Sequence, residues 1–175
     1  MTVLDETDSL LRSLRGVWDE EAVDELDHAL QSAARALDDG ADDELVLAAV
    51  LHDLAHSPTF DAAAATRHDA TACDWLTPRF GARVGWLAGA HVAAKRYLVA
   101  TEPGYSSTLT ATSVDSLRAQ GGADVDGAYL AHPWWPDALR LRRYDDAAKV
   151  PGARGATISD VLAIAERVMR QGKSR

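Results

Sequence analysis

Residues 44–56, ELVLAAVLHDLAH, run an uncharged apolar stretch straight into three polar groups. Leu45 to Leu51 are all apolar, His52-Asp53 follow at once, and His56 comes four residues after His52. The pattern predicts a helix over about 43–56, capped by Asp42 or Asp43 and ended by Pro58, with His52 and His56 on one face. Polar groups beside so much apolar surface are costly to bury unless they are paired or metal-bound.

Helical patterns extend on both sides of this stretch. Residues 3–15 form a short amphipathic segment with a break near Gly16. A helix over about 19–37 places Val23, Leu26, Leu30, Ala34 and Leu37 on one face and stops at Gly40. Further helices are expected over about 61–76, stopping before Pro78, over 82–101, stopping at Pro103-Gly104, and over 112–120, ending at Gly121-Gly122. Residues 104–112 read as loop and 123–135 as irregular. Pro136 suits the first turn of a helix reaching Lys149, and the last helix spans about 158–171. Alanine occurs 33 times and aromatics make up only 6%, which favours helix over strand. No β-branched alternation is long enough for a strand. The expected fold is an all-α bundle with short connections.

The 175 residues suit a single domain, spanning 1–175, that buries its own core. One cysteine, Cys73, excludes a disulfide scaffold or a multi-cysteine zinc site and fits a reducing cytoplasm. No apolar run approaches the ~18 residues of a membrane span. The N-terminus carries acids where a signal peptide has bases. The net charge of −9 argues against nucleic-acid binding, which rests on Lys and Arg. It leaves room for a small anion in a local basic pocket.

Six histidines lie at 28, 52, 56, 68, 91 and 132. With 20 aspartates in the chain, about 0.7 His-Asp pairs arise by chance, so His52-Asp53 and His68-Asp69 alone decide nothing. Their context is more telling. His28 lies between Leu26 and Leu30, and His91 is flanked by Ala90 and Val92, deep in the expected fifth helix. Histidines beside small or apolar residues on four successive helices are explained jointly by a shared metal site. Imidazole and carboxylate without thiolate suit iron, manganese or zinc, and Asp53 can bridge two ions. On spacing alone, Asp145-Asp146 reads as a solvated acidic pair balanced by Arg142 and Lys149. Lys95-Arg96 and Arg140 to Arg143 have a similar reading as solvated helix faces.

The order His28, His52-Asp53, Asp145 resembles the HD superfamily of metal-dependent phosphohydrolases, and His68 and His91 extend the likeness to its dinuclear members. The stretches HVAAKRYLVATEPGYSSTLTATSVDSLRAQGG (91–122) and LRLRRYDDAAKVPG (139–152) are similar to HD-domain mixed-valent diiron oxygenases of the phosphonate-degrading branch. The resemblance covers roughly 16–155 and implies an HD-type helical bundle with a dinuclear site in its core. It implies two iron ions, Fe2+ and Fe3+, with His28, His52, Asp53 and Asp145 on the first, Asp53 bridging, and His68 and His91 on the second. His56 and Lys95 would act on the substrate, Lys95 meeting the phosphonate with Arg142 and Ser113. Glu21, seven residues before His28, or a nearby acid such as Glu20 would read a substrate amine. Trp18 stands where these oxygenases commonly carry a tyrosine that ligates the open iron, and indole offers no such oxygen. The implied reaction uses O2 to cleave the C–P bond of a 1-hydroxy-(amino)alkylphosphonate, giving phosphate and a carboxylic acid. The expected partner is a small anionic organophosphonate, with no nucleic acid or membrane, in a monomer or homodimer. A hydrolase of nucleotides or other phosphoesters, using the same ligands to activate water, is the competing enzymatic reading. A non-enzymatic helical module that keeps the histidines for stability is the third.

Overall fold

The computed structural model describes residues 1–172, and every regular element among them is helical. Residues 173–175, the end of the expected domain, lie outside the described residues. Thr2 caps α1 (Val3–Ser13) in a reciprocal box with Asp5. Asp24 caps α2 (Glu25–Asp38) and Asp42 caps α3 (Asp43–Leu51). The chain continues through α4 (Ala62–Thr66), α5 (His68–Phe80), α6 (Ala82–Gly89), α7 (His91–Thr101), α8 (Ala111–Ala119), α9 (Gly127–Leu130), α10 (Trp135–Ala147) and α11 (Ile158–Gly172). Single 3-10 turns lie at Leu54–His56 and Tyr105–Thr108.

Because α3 is apolar on all sides, it belongs in the middle of the bundle. It packs against α2, α6, α10 and α11, and Leu45 to Leu51 are buried without exception. Its C-terminus therefore delivers His52 and Asp53 into the interior. Around it α2, α6, α10 and α11 form a shell of leucine, valine and alanine.

Tight packing of α5 on α6 fixes His68 and His91, which start α5 and α7. Gly85 makes this approach possible. A Cβ there would sit 2.1 Å from Thr77 Oγ1 and 3.0 Å from the backbone oxygen of Cys73. Thr77 Oγ1 is itself held by that oxygen at 2.8 Å, so it cannot easily swing away. Gly85→Ala should destabilise the fold by about 1–3 kcal/mol, the usual cost of overpacking, measured as a lower denaturation midpoint at unchanged slope.

Five helix boundaries differ from the sequence pattern. The second helix begins at Glu25, not near Asp19, because the Asp24 carboxylate accepts from Asp27 N, Gly16 N and Arg15 and turns the chain there. Val23 is still buried, but from a turn. The expected helix over 43–56 ends at Leu51, and Asp53 (φ −103°, ψ 19°) separates it from the 3-10 turn carrying His56. His52 and His56 thus do not share one continuous helix face. The expected helix over 61–76 is two helices, broken at Arg67 (φ −112°, ψ 43°), and the second runs through Pro78 to Phe80. Proline so close to the end sacrifices one hydrogen bond of the last turns. The expected helix over 82–101 breaks at Ala90, so His91 opens α7 instead of lying deep in a helix. Residues 123–135, read as irregular, contain the short α9.

Candidate metal centre and anion cavity

The breaks in the helices fall at the histidines. The last carbonyls of a helix have no intrahelical donor. Ala49, in the last turn of α3, takes the Nδ1–H of His52 (2.7 Å), and Ala88, at the end of α6, takes that of His91 (2.6 Å). Ala148, the C-cap of α10, does the same for His28 (3.0 Å). Each carbonyl fixes its ring's tautomer and turns Nε2 inward as a free lone pair. All three rings are buried.

Asp53 is the hub on which these rings converge. Its Oδ2 lies 3.1 Å from His52 Nε2 and 3.5 Å from His28 Nε2. Its Oδ1 faces a different set: His91 Nε2 at 3.5 Å, His68 Nε2 at 3.8 Å and His56 Nε2 at 3.9 Å. Asp145, on α10, closes the first set at 3.4 Å from His28 Nε2 and 3.5 Å from His52 Nε2. In the second set, His68 and His91 bring their Nε2 atoms within 3.1 Å of each other. The donors of His28, His52, Asp53 and Asp145 lie close enough together to hold one ion, as do those of Asp53, His56 and His68. Among the described residues buried His52 Nε2 makes no hydrogen bond of good geometry, and it looks at two carboxylates. A lone pair so placed calls for a cation between them, so the donor set fits a metal.

The electrostatics agree with this. Burial opposes a charge on His52, but Asp53 and Asp145 outweigh it and push the imidazole well above its ordinary range. Burial also opposes ionisation of Asp53, yet His52 holds it well below the usual carboxylate range. For Asp145, Arg142 and Lys149 overcome burial in the same direction. Burial and then His52 drive His91 well down, leaving it a neutral ring. The cluster holds two ionised carboxylates and favours added positive charge at Nε2 of His52.

A cavity of about 470 Å³ opens onto the Asp53 Oδ1 side. His56, His68, Lys95, Ser113, Arg142 and Lys149 are among its walls. Lys95 is 3% exposed and donates to Ser116 Oγ at 2.8 Å, with no carboxylate in ion-pair range among the described residues. Burial, then the charge of Arg142, lowers its pKa to about 8. Arg142 is held differently. Its Nε donates to Tyr105 Oη at 3.0 Å, Nη1 to Asp145 at 2.5 Å and Nη2 to Asp146. Asp145-Asp146 is therefore not a solvated pair: Asp145 is 3% exposed, and both carboxylates pin the arginine. Arg140 and Arg143 stay at the surface, paired with Asp39 and Glu102.

Hydroxymethylphosphonate dioxygenase of Gimesia maris is 34% identical over 145 residues, which span 77% of this chain and 72% of that protein. [1-Hydroxy-2-(trimethylamino)ethyl]phosphonate dioxygenase (glycine-betaine-forming) of Leisingera caerulea is 31% identical over 138 residues, 74% of this chain and 70% of its own. The chain belongs to the phosphonate dioxygenase family. An uncharacterized protein of Acanthamoeba polyphaga mimivirus is 29% identical over 141 residues, covering 74% of this chain and 64% of that protein. No family model matches the chain.

Against this family background, the structure brings together His28, His52, Asp53, His56, His68, His91 and Asp145, with Lys95, Ser113 and Arg142 on the adjoining wall. It does not bring in Trp18 or Glu21. Trp18 is 63% exposed, so it is neither a core aromatic nor part of the cavity wall. Glu21 is exposed and also outside the lining. The reason is local: both precede the start of α2, so their spacing from His28 carries no helical register. Glu20 lines the cavity instead, with Lys149. The sequence carried one hint of Lys149, which follows Asp145 by four residues just as Lys95 follows His91. Glu25 gave no hint. It is 2% exposed with Oε2 unpartnered among the described residues, and burial, then Asp53 and Asp19, raise its pKa well above the usual range. It is a buried acid beside the cluster whose charged form burial and neighbouring carboxylates disfavour.

Among the described residues no helix is long and apolar enough to cross a membrane.

Proposed function

We propose that the chain is a diiron oxygenase that uses O2 to cleave the C–P bond of a 1-hydroxyalkylphosphonate, releasing phosphate and a carboxylic acid. The observation that carries this reading is the division of Asp53, one oxygen toward His28 and His52, the other toward His56, His68 and His91. A carboxylate so placed would be shared by two ions, with His28, His52 and Asp145 to hold one and His68 and His91 the other. Bound iron would supply the electrons and the open position at which O2 and the substrate react.

The chain's own groups position the substrate. Lys95 presents an uncompensated buried cation to the phosphonate, and Ser116 and Ser113 add hydroxyl groups. His56 and His68, half-buried at the cavity wall, lie on the Oδ1 side of Asp53, where the cavity opens. Arg142 contributes a fixed positive charge while its fork stays engaged by Tyr105, Asp145 and Asp146. Oxidation of the carbinol carbon to the carboxylic acid level removes four electrons, which reduces one O2 fully. No outside reductant is needed per turnover. The deciding experiment is an oxygen-electrode assay of the iron-loaded protein with 1-hydroxyalkylphosphonates. It should give one phosphate per O2, and phosphate release that persists without O2 would favour the hydrolase instead.

Lys95→Met should raise KM for the phosphonate about 10- to 100-fold, the worth of one charge-assisted hydrogen bond, with kcat much less affected. The lowered pKa also sets a pH dependence. Lys95 is charged below about 8 and loses its charge as pH rises through that value. Substrate affinity should therefore fall on the alkaline side with an apparent pKa near or above 8, since a bound anion favours the charged form. Lys95→Met should lack that limb, and an unchanged profile would remove Lys95 from the anion site.

A further inference from the structure

We infer that the buried Glu20–Lys149 ion pair neutralises the one buried acid of the cavity wall outside the metal cluster, so the substrate is a 1-hydroxyphosphonate without a cationic head group. This rests on the phosphonate oxygenase reading above and narrows its substrate class. The pair is closed on itself. Lys149 Nζ lies 2.7 Å from Glu20 Oε1, 2.9 Å from Ser113 Oγ and 3.7 Å from Asp145 Oδ1. The same Glu20 oxygen accepts from Thr110 Oγ1 at 3.2 Å and Ser113 Oγ at 3.4 Å. Both charged side chains are only 9% exposed.

An ammonium group reaching Glu20 would meet a lysine already seated on its carboxylate. It would either displace Lys149, leaving a buried cation without that partner, or lie against a like charge. The other acids do not replace Glu20. Asp19 and Asp115 stand at the cavity rim, both exposed, where water and salt screen them, and Asp115 is paired with Arg118. Asp53 and Asp145 belong to the metal cluster. Among the described residues the cavity thus holds one uncompensated cation, Lys95, for the phosphonate, and no buried free anion for a second, positive end.

The test compares hydroxymethylphosphonate with 1-hydroxy-2-(trimethylammonio)ethylphosphonate. Equilibrium binding to the metal-loaded full chain and phosphate release are measured separately. The wild-type chain should bind the uncharged-head compound at least about tenfold more tightly. Lys149→Met frees Glu20 and should shrink or invert that ratio, while Lys149→Arg keeps it. Equal or inverted affinities in the wild type, binding of neither compound, or an unchanged ratio in folded Lys149→Met overturn the inference. Phosphate release from neither compound, with the binding preference intact, refutes the oxygenase reading alone.

Discussion

His91→Ala should lower bound iron from about two ions per chain to about one, and abolish phosphonate-dependent O2 uptake. Losing a whole ligand should exceed the roughly 10- to 100-fold cost of losing a group that merely supports one. His91 Nε2 sits in the half of the cluster served by Asp53 Oδ1, so the half around His28 and Asp145 should still hold its ion. His132→Ala is the control. That ring stacks on Trp86 at 3.8 Å, remote from the cluster in contacts and partners, and both ions should remain. Iron assay of the two purified proteins checks the pair of outcomes. Equal iron content would contradict the division of the site into two halves.

A larger loss is expected at Asp53. Asn in its place keeps the shape but removes the charge and leaves one oxygen to serve two sets of histidines. Asp53→Asn should lose both ions to within assay error and reduce kcat/KM at least about a thousandfold. The apo protein should report the change too. Asp53 is one of two carboxylates that raise His52, so removing it should lower the His52 pKa. NMR titration of the metal-free proteins would detect that shift. The sign can be worked out for stability. A histidine raised in the folded state contributes stability at low pH that is lost as pH climbs through its folded pKa. Asp53→Asn should diminish that contribution of His52.

These residues were unequally legible in the sequence. His52-Asp53 was visible because seven apolar residues precede it, and in an alanine-rich chain with no strand pattern such a run belongs to the interior of a helical bundle. His28 stood out by its apolar neighbours and Asp145 only through the resemblance, and both lie within helices that the periodicity located at that point. The breaks at Asp53, Arg67 and Ala90 were missed, because no proline or glycine occupies those positions and alanine-rich flanks favour continuing the helix. At the ends of α3 and α6 the buried imidazoles of His52 and His91 each turn back onto the carbonyl three residues earlier, a local hydrogen bond that helix propensity does not register. Glu20 and Lys149, 129 residues apart, could not be paired from local spacing. Nor could Tyr105 and Asp146, whose 2.5 Å contact orders the arginine between them. Glu21 was preferred over Glu20 because it matched a family spacing, and the turn over residues 17–23 cancels that register.

Anomalous diffraction at the iron edge, on crystals of the protein loaded with iron, measures the arrangement itself. Two peaks about 3.5–4 Å apart are expected, one on each oxygen of Asp53. A single peak between His28, His52 and Asp145, or none, would contradict the bridging role of Asp53 and the dinuclear site built on it.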